Sequence, residues 1–88
     1  MKTPVYTRQF EKDVKRCQKR GYDFGKFKTV MRLLLDSTPL PQNCRPHKLS
    51  GTYSDVWNCH LAPDWILLYT EEADRVTFQR IGTHADLF

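Results

Sequence analysis

Trp65-Ile66-Leu67-Leu68-Tyr69-Thr70 is a nearly continuous apolar run of strand length, bounded by Pro63-Asp64 before it and by the polar stretch Glu71 to Asp74 after it. Apolar residues at odd and even positions alike predict a strand covered on both faces, which is a central place in a sheet. On its C-terminal side, Val76 to Ile81 predicts another strand, with Val76, Phe78 and Arg80 on one face by alternation. On its N-terminal side, Ser54 to Leu61 predicts a third. There Val56, Asn58 and His60 fall on one face and Trp57, Cys59 and Leu61 on the other. Short links between these strands favour an antiparallel meander.

Upstream of the strands the periodicity changes. Thr3 to Tyr6 predicts a short strand, and Thr7 is placed to cap a helix. Phe10, Val14 and Cys17 then recur at helical spacing, with Lys12, Lys15, Arg16, Lys19 and Arg20 around the polar side. Gly21 ends that helix. Asp23 caps a second, whose buried stripe is Phe27, Val30, Met31 and Leu34, and which stops before Pro39 and Pro41. Residues 37 to 54 contain Pro39, Pro41, Pro46 and Gly51 and predict a long loop carrying His47. Helices first and strands last give an α+β fold in which a helical hairpin lies on a sheet, one domain spanning 1–88.

Residues 1 to 48 hold twelve Lys and Arg against four acids, whereas residues 49 to 88 hold two against six. The basic half suggests a footprint for a polyanion. Solvated helix faces would explain the same charge. Cys17, Cys44 and Cys59 have no CxxC spacing and read as reduced thiols of a cytoplasmic protein, Cys17 and Cys59 as small core residues. No apolar run approaches the ~18–20 residues that cross a bilayer, and Met1-Lys2-Thr3-Pro4 lacks the apolar stretch of a signal peptide.

His47, His60 and His84 all lie in the C-terminal half. Histidine can take and give a proton near neutrality. RNA cleavage by the RNA's own 2'-hydroxyl needs that pair of transfers, together with a cation facing the charge that builds on phosphorus. His60 could equally be an ordinary edge-strand histidine, Asp64 a turn residue, and His47 and His84 surface residues. Arg80, in an otherwise apolar strand, needs a partner: Asp64, a carboxylate elsewhere, or a phosphate. Trp65 reads as core or as a residue holding a base or the histidines. Phe88, at the chain end, is either docked or used in contact. Tyr53 and Trp57 are weaker stacking candidates, and Tyr69 reads as core. The histidine spacings match no short zinc motif, and there is no phosphate-cradling glycine loop, so neither a metal nor a cofactor is expected.

Three blocks carry a resemblance: His47-Lys48-Leu49-Ser50-Gly51, His60-Leu61-Ala62-Pro63-Asp64-Trp65-Ile66-Leu67-Leu68-Tyr69 and Arg80-Ile81-Gly82-Thr83-His84-Ala85-Asp86-Leu87-Phe88. In this order and spacing the chain resembles the YafQ-type toxins of the RelE/ParE superfamily, from bacterial type II toxin–antitoxin pairs. The resemblance implies a RelE/ParE-like fold, two N-terminal helices on a small twisted, mainly antiparallel sheet. It also implies a ribosome-dependent endoribonuclease that cuts mRNA in the ribosomal A site and is neutralised by a cognate antitoxin. Catalytic positions would be His60, His84, His47, Asp64 and Arg80, and substrate would meet Trp65, Phe88 and Lys48. Lys12, Lys15, Arg16, Lys19, Arg20, Lys26 and Lys28 would touch ribosomal RNA. Sequence-specific DNA binding would come mostly from the antitoxin. A gyrase poison, a noncatalytic RNA-binding module and a toxin retained only as an antitoxin partner remain rival readings.

Overall fold

A computed structural model describes residues 1–44, 47–48 and 55–88, with backbone only at 43, 47 and 48. Strand β1 (Thr3–Tyr6) leads into helices α1 (Arg8–Lys19) and α2 (Phe24–Leu35) and a 3-10 turn (Gln42–Cys44). There follow β2 (His47–Lys48), β3 (Trp57–Ala62), β4 (Trp65–Glu71), β5 (Arg75–Gly82) and a one-turn helix α3 (His84–Leu87). The helix boundaries follow the capping residues. The Thr7 hydroxyl accepts the Phe10 N–H at 3.0 Å, and the Asp23 carboxylate accepts the Gly25 N–H at 2.9 Å. Such caps are worth about 1 kcal/mol each. Gly21, at φ 81°, makes the left-handed turn that releases the chain from α1.

The sheet order is β1-β5-β4-β3-β2, so the apolar run of β4 is central. β2, β3, β4 and β5 pair antiparallel in succession, and β1 joins the free edge of β5 in parallel. β4 is buried on both sides, as its composition requires. Trp65, Leu67 and Tyr69 belong to the main core with Phe10, Phe27 and Phe78 of α1, α2 and β5; Ile66 and Leu68 form a smaller cluster with Leu87 and Val56. The helices therefore cover one face and leave the other partly open. Phe10, Phe27 and Phe78 meet with ring centroids 5.6, 5.8 and 5.4 Å apart, pinning both helices to β5. Each such aromatic pair adds about 0.5–1.5 kcal/mol beyond its buried area.

Two register shifts correct the alternation read from sequence. In β5, Phe78 faces Tyr69 but Arg80 faces Leu68, so Gln79 is an extra residue. Ile81 rather than Arg80 then continues the core face of Val76 and Phe78. Arg80 is turned to the row of Leu68, on the open face. A second shift lies between His60 and Ala62.

After Gly82 the chain folds into a capped helical turn. The Thr83 hydroxyl accepts the Asp86 N–H and the Asp86 carboxylate accepts the Thr83 N–H, a reciprocal capping box. Gly82 is required by close approach. A Cβ there would lie 3.0 Å from both Cβ and Oδ2 of Asp86 and 3.2 Å from Nη2 of Arg16. Gly82→Ala is expected to push α3 off the sheet and cost about 1–3 kcal/mol, read as a fall in the urea midpoint at unchanged slope. The Gly51 turn, Tyr53 and the strand start expected at Ser54 lie outside the described residues.

Candidate active site on the open sheet face

Pairing register decides which residues share the open face, because partners across a ladder project to the same side. His47 faces Asn58, Asn58 faces Leu68 and Leu68 faces Arg80, which makes one row across β2, β3, β4 and β5. His60 faces Ile66 and Ile66 faces Gly82 in the next row. Four of the expected catalytic residues are thereby gathered: His47 by backbone position, His60 and Arg80 by strand register, and His84 by the helix that Gly82 and Thr83 fold back. The side chains of His47 and Lys48 lie outside what the structure describes.

The rings of His60 and His84 stand 5.8 Å apart, tilted by 46°. That separation suits two imidazoles flanking one phosphodiester, each within the ~2.6–3.2 Å reach needed for proton transfer. Asp64, in the tight turn between β3 and β4, reaches across to the start of α3. Its Oδ1 lies 2.6 Å from Nδ1 of His84 and accepts the His84 backbone N–H at 3.0 Å. Both hydrogen bonds, backbone first, hold the Asp64 carboxyl below the ordinary carboxylate range. With Nδ1–H donating to Asp64, Nε2 is the ring nitrogen left for proton transfer. Phe88 is docked by its N–H on the His84 carbonyl at 2.9 Å. Its ring stays 59% exposed, 6.3 Å from that of His84.

Trp65 is not at this surface. It is 1% exposed, stacked on Tyr22 at 4.8 Å and edge-on to Phe24 at 5.3 Å, on the helix side of the sheet. Alternation along β4 places it there, on the same side as Leu67 and Tyr69 and opposite Ile66 and Leu68. Its effect on the site is exerted from beneath, by anchoring the turn that carries Asp64.

The partner of Arg80 is a carboxylate from elsewhere. Asp13 of α1, 0% exposed, accepts Nε of Arg80 at 2.7 Å and Nη2 at 3.1 Å, the Ile81 N–H at 3.2 Å, and Nη2 of Arg16 at 2.8 Å. β1 ends at Tyr6, opposite Phe78, and Asp13 takes over the exposed β5 edge beyond it. Burial alone would raise the Asp13 carboxyl. The hydrogen bonds from Arg80 and Ile81 and the Arg80 charge outweigh it and hold the group below its ordinary range. The sequence reading passed this residue over; the signal that could have found it is an acid on the apolar stripe, between Phe10 and Val14. Such a residue demands a cation.

Arg16 and Arg20, expected to face ribosomal RNA, are engaged inside the molecule. Arg20 donates to Asp86 at 2.7 Å, and Arg16 lies 3.8 Å from the same carboxylate. The Arg20 hydrogen bond and the Thr83 N–H depress the Asp86 carboxyl strongly. Lys12, Lys15, Lys19, Lys26 and Lys28 are exposed on the helices. Among the described residues no group of three His, Cys, Asp or Glu is placed to hold a metal ion, and no helix is long and apolar enough to cross a membrane. Cys17, Cys44 and Cys59 are buried free thiols. Burial and the neighbouring Cys44 push the Cys59 thiol far up.

Asp13, Asp64 and Asp86 share one sign. Each folded-state pKa is depressed, so the stabilisation is present above the unfolded carboxylate value of about 3.9. It is lost as pH falls through the folded values. The expected urea midpoint is flat from neutrality to roughly pH 4 and falls below it, and Asp86→Asn should flatten the acid limb.

Residues 2–88 match the family described as the bacterial toxin of type II toxin–antitoxin system, YafQ. The chain is similar to the mRNA interferase toxin YafQ of Escherichia coli K12, 44% identical over 84 residues, which cover 94% of this chain and 91% of that protein. The crystal structure of YafQ from E. coli BL21(DE3) superposes with a TM-score of 0.94 at 40% identity, covering 100% of this chain and 99% of that one. The toxin in the E. coli DinJ–YafQ complex gives 0.91 at 41%, covering 99% and 97%.

Proposed function

Because the chain belongs to the YafQ family of type II toxin–antitoxin toxins, within the RelE/ParE superfamily, we propose that it is an endoribonuclease that cleaves mRNA in the ribosomal A site. The observation that carries this reading is the His60–His84 pair, 5.8 Å apart on the open sheet face with Asp64 on Nδ1 of His84.

His60, with His47 beside it on the neighbouring strand, takes the proton of the 2'-hydroxyl. That oxygen attacks phosphorus. His84 gives the proton on Nε2 to the departing 5'-oxygen, while Asp64 holds the ring's other nitrogen. Arg80 faces the charge that accumulates on the phosphoryl oxygens. The products are a 2',3'-cyclic phosphate and a 5'-hydroxyl, with one proton taken and one returned. Phe88, exposed beside His84, stacks a base, and Lys48 meets substrate phosphate.

The exposed lysines of α1 and α2 bind ribosomal RNA, an attraction that weakens with salt. Arg16 and Arg20 contribute to that field but are committed first to Asp13 and Asp86. The relative crystallised as the DinJ–YafQ toxin–antitoxin complex supports a cognate antitoxin as the protein partner, with DNA recognition supplied by that antitoxin.

Mapping 5' ends on mRNA of programmed ribosomes tests the reading. Codon-positioned cuts by the wild type, lost in His60→Ala and His84→Ala, are expected. Ribosome binding without cuts, or cleaved gyrase–DNA complexes with intact mRNA, would overturn it.

A further inference from the structure

Arg80 is the cation of the site, yet its side chain starts on the open face and must be held at the β5 edge. Asp13 does this from the far side of the sheet. It engages Nε and Nη2, two donors of one planar fork, at 2.7 and 3.1 Å. A bidentate carboxylate fixes the plane and direction of a guanidinium, not only its distance. The same carboxylate binds the Ile81 N–H, so the fork is referenced to the β5 backbone, one residue from its own Cα. Arg16 is a second guanidinium on that carboxylate at 2.8 Å. Arg16, which also lies 3.8 Å from Asp86, and Arg80 therefore share the Asp13 carboxylate.

A buried ion pair is seldom the most stable way to fill a core. An apolar residue at position 13 would continue the stripe of Phe10, Val14 and Cys17 and leave Arg80 to solvent. The carboxylate is explained by what it does to the arginine.

We propose that Asp13 is a positioning residue for phosphoryl transfer, setting the place and plane of the Arg80 guanidinium relative to the His60–His84 pair. This rests on the ribonuclease reading above. Asp13 touches no substrate; it acts through Arg80. A displacement of about 1 Å in a group facing the transition state can cost about 100-fold in rate.

The test is a double-mutant cycle read by single-turnover cleavage on programmed ribosomes, using the full chain. Asp13→Asn keeps the shape and an acceptor for Ile81 but loses the charged fork. It is expected to slow the cut by about 10- to 100-fold at saturating ribosomes, with the half-saturating ribosome concentration unchanged. In an Arg80→Ala background the same change should cost less than about twofold, because the group it positions is gone. Equal losses in both backgrounds would show that Asp13 acts through the fold at large, and would overturn the proposal. So would an unimpaired Asp13→Asn beside a crippled Arg80→Ala. If Asp13→Asn does not fold, Asp13→Glu, which keeps the charge and displaces it by one methylene, enters the same cycle with the same criteria. A wild type that cuts no mRNA removes the ribonuclease reading itself and the positioning role with it, an outcome visible before any variant is made.

Discussion

His84→Ala is expected to leave a folded protein whose single-turnover cleavage of ribosome-bound mRNA is slower by about 10² to 10⁴. The size follows from the role. In the proposed mechanism, protonation of the departing 5'-oxygen is one of two proton transfers, and without Nε2 the leaving group would depart as an alkoxide or wait for water. The fold is spared because the His84 side chain is 56% exposed and its backbone N–H still donates to Asp64 after truncation. The urea midpoint should therefore move by less than about 0.5 kcal/mol equivalent. His60→Ala should fall in the same range, and the double variant should lose less than the product of the two, since the rings act on one phosphate. Asp64→Asn should lose less than either, because it disturbs the orientation of a ring that remains. A His84→Ala rate within about threefold of wild type would remove His84 from the chemistry.

Asp13→Ala is expected to cost the fold about 3 kcal/mol, at the lower end of the range for breaking a buried pair. The loss arises because the partners stay behind. Arg80 would lose the acceptor of both its donors, Arg16 one ion pair, and the Ile81 N–H its carboxylate acceptor. Water relieves part of this, as the Arg80 and Arg16 side chains are 25% and 34% exposed, which is why the lower end applies. For a domain stabilised by about 5–15 kcal/mol in all, that is a large fraction. The control is Lys2→Ala, which removes the surface pair to Glu71 at 3.0 Å and should cost under about 1 kcal/mol. Urea unfolding followed by tryptophan fluorescence reads both, Trp65 being buried against Tyr22. Equal losses for the two variants would contradict the buried-network description.

The elements were legible because their signals are local. Thr7, Gly21 and Asp23 punctuate the helices by chemistry that needs no tertiary partner, and the β4 run declares its own burial on both faces. His60 was placed correctly by alternation, since the shift in β3 comes after it. Arg80 was misplaced because the extra residue at Gln79 arises from pairing with β4, which is not encoded in β5 alone. Trp65 was read as open to either role. Its ring is in the core because it alternates with Leu67 and Tyr69 on the helix-covered face, and a strand apolar on both faces does not declare which face the helices cover. The parallel placement of β1 was hidden for the same reason: short strands do not name their neighbours. Asp13 and the Thr83-His84-Ala85-Asp86 capping box were passed over, although the first interrupts the apolar stripe and the second carries a cap pattern. These two local irregularities connect α1 to Arg80 and α3 to the sheet.

The most direct measurement is a single 2'-deoxy substitution in the mRNA, at the nucleotide whose 2'-oxygen would attack, presented to the wild-type protein on programmed ribosomes. Cleavage at that position should disappear while unmodified sites are cut at their usual rate. Cutting of the deoxy position at an undiminished rate would mean that the nucleophile comes from elsewhere, and the roles given to His60 and His84 would not stand.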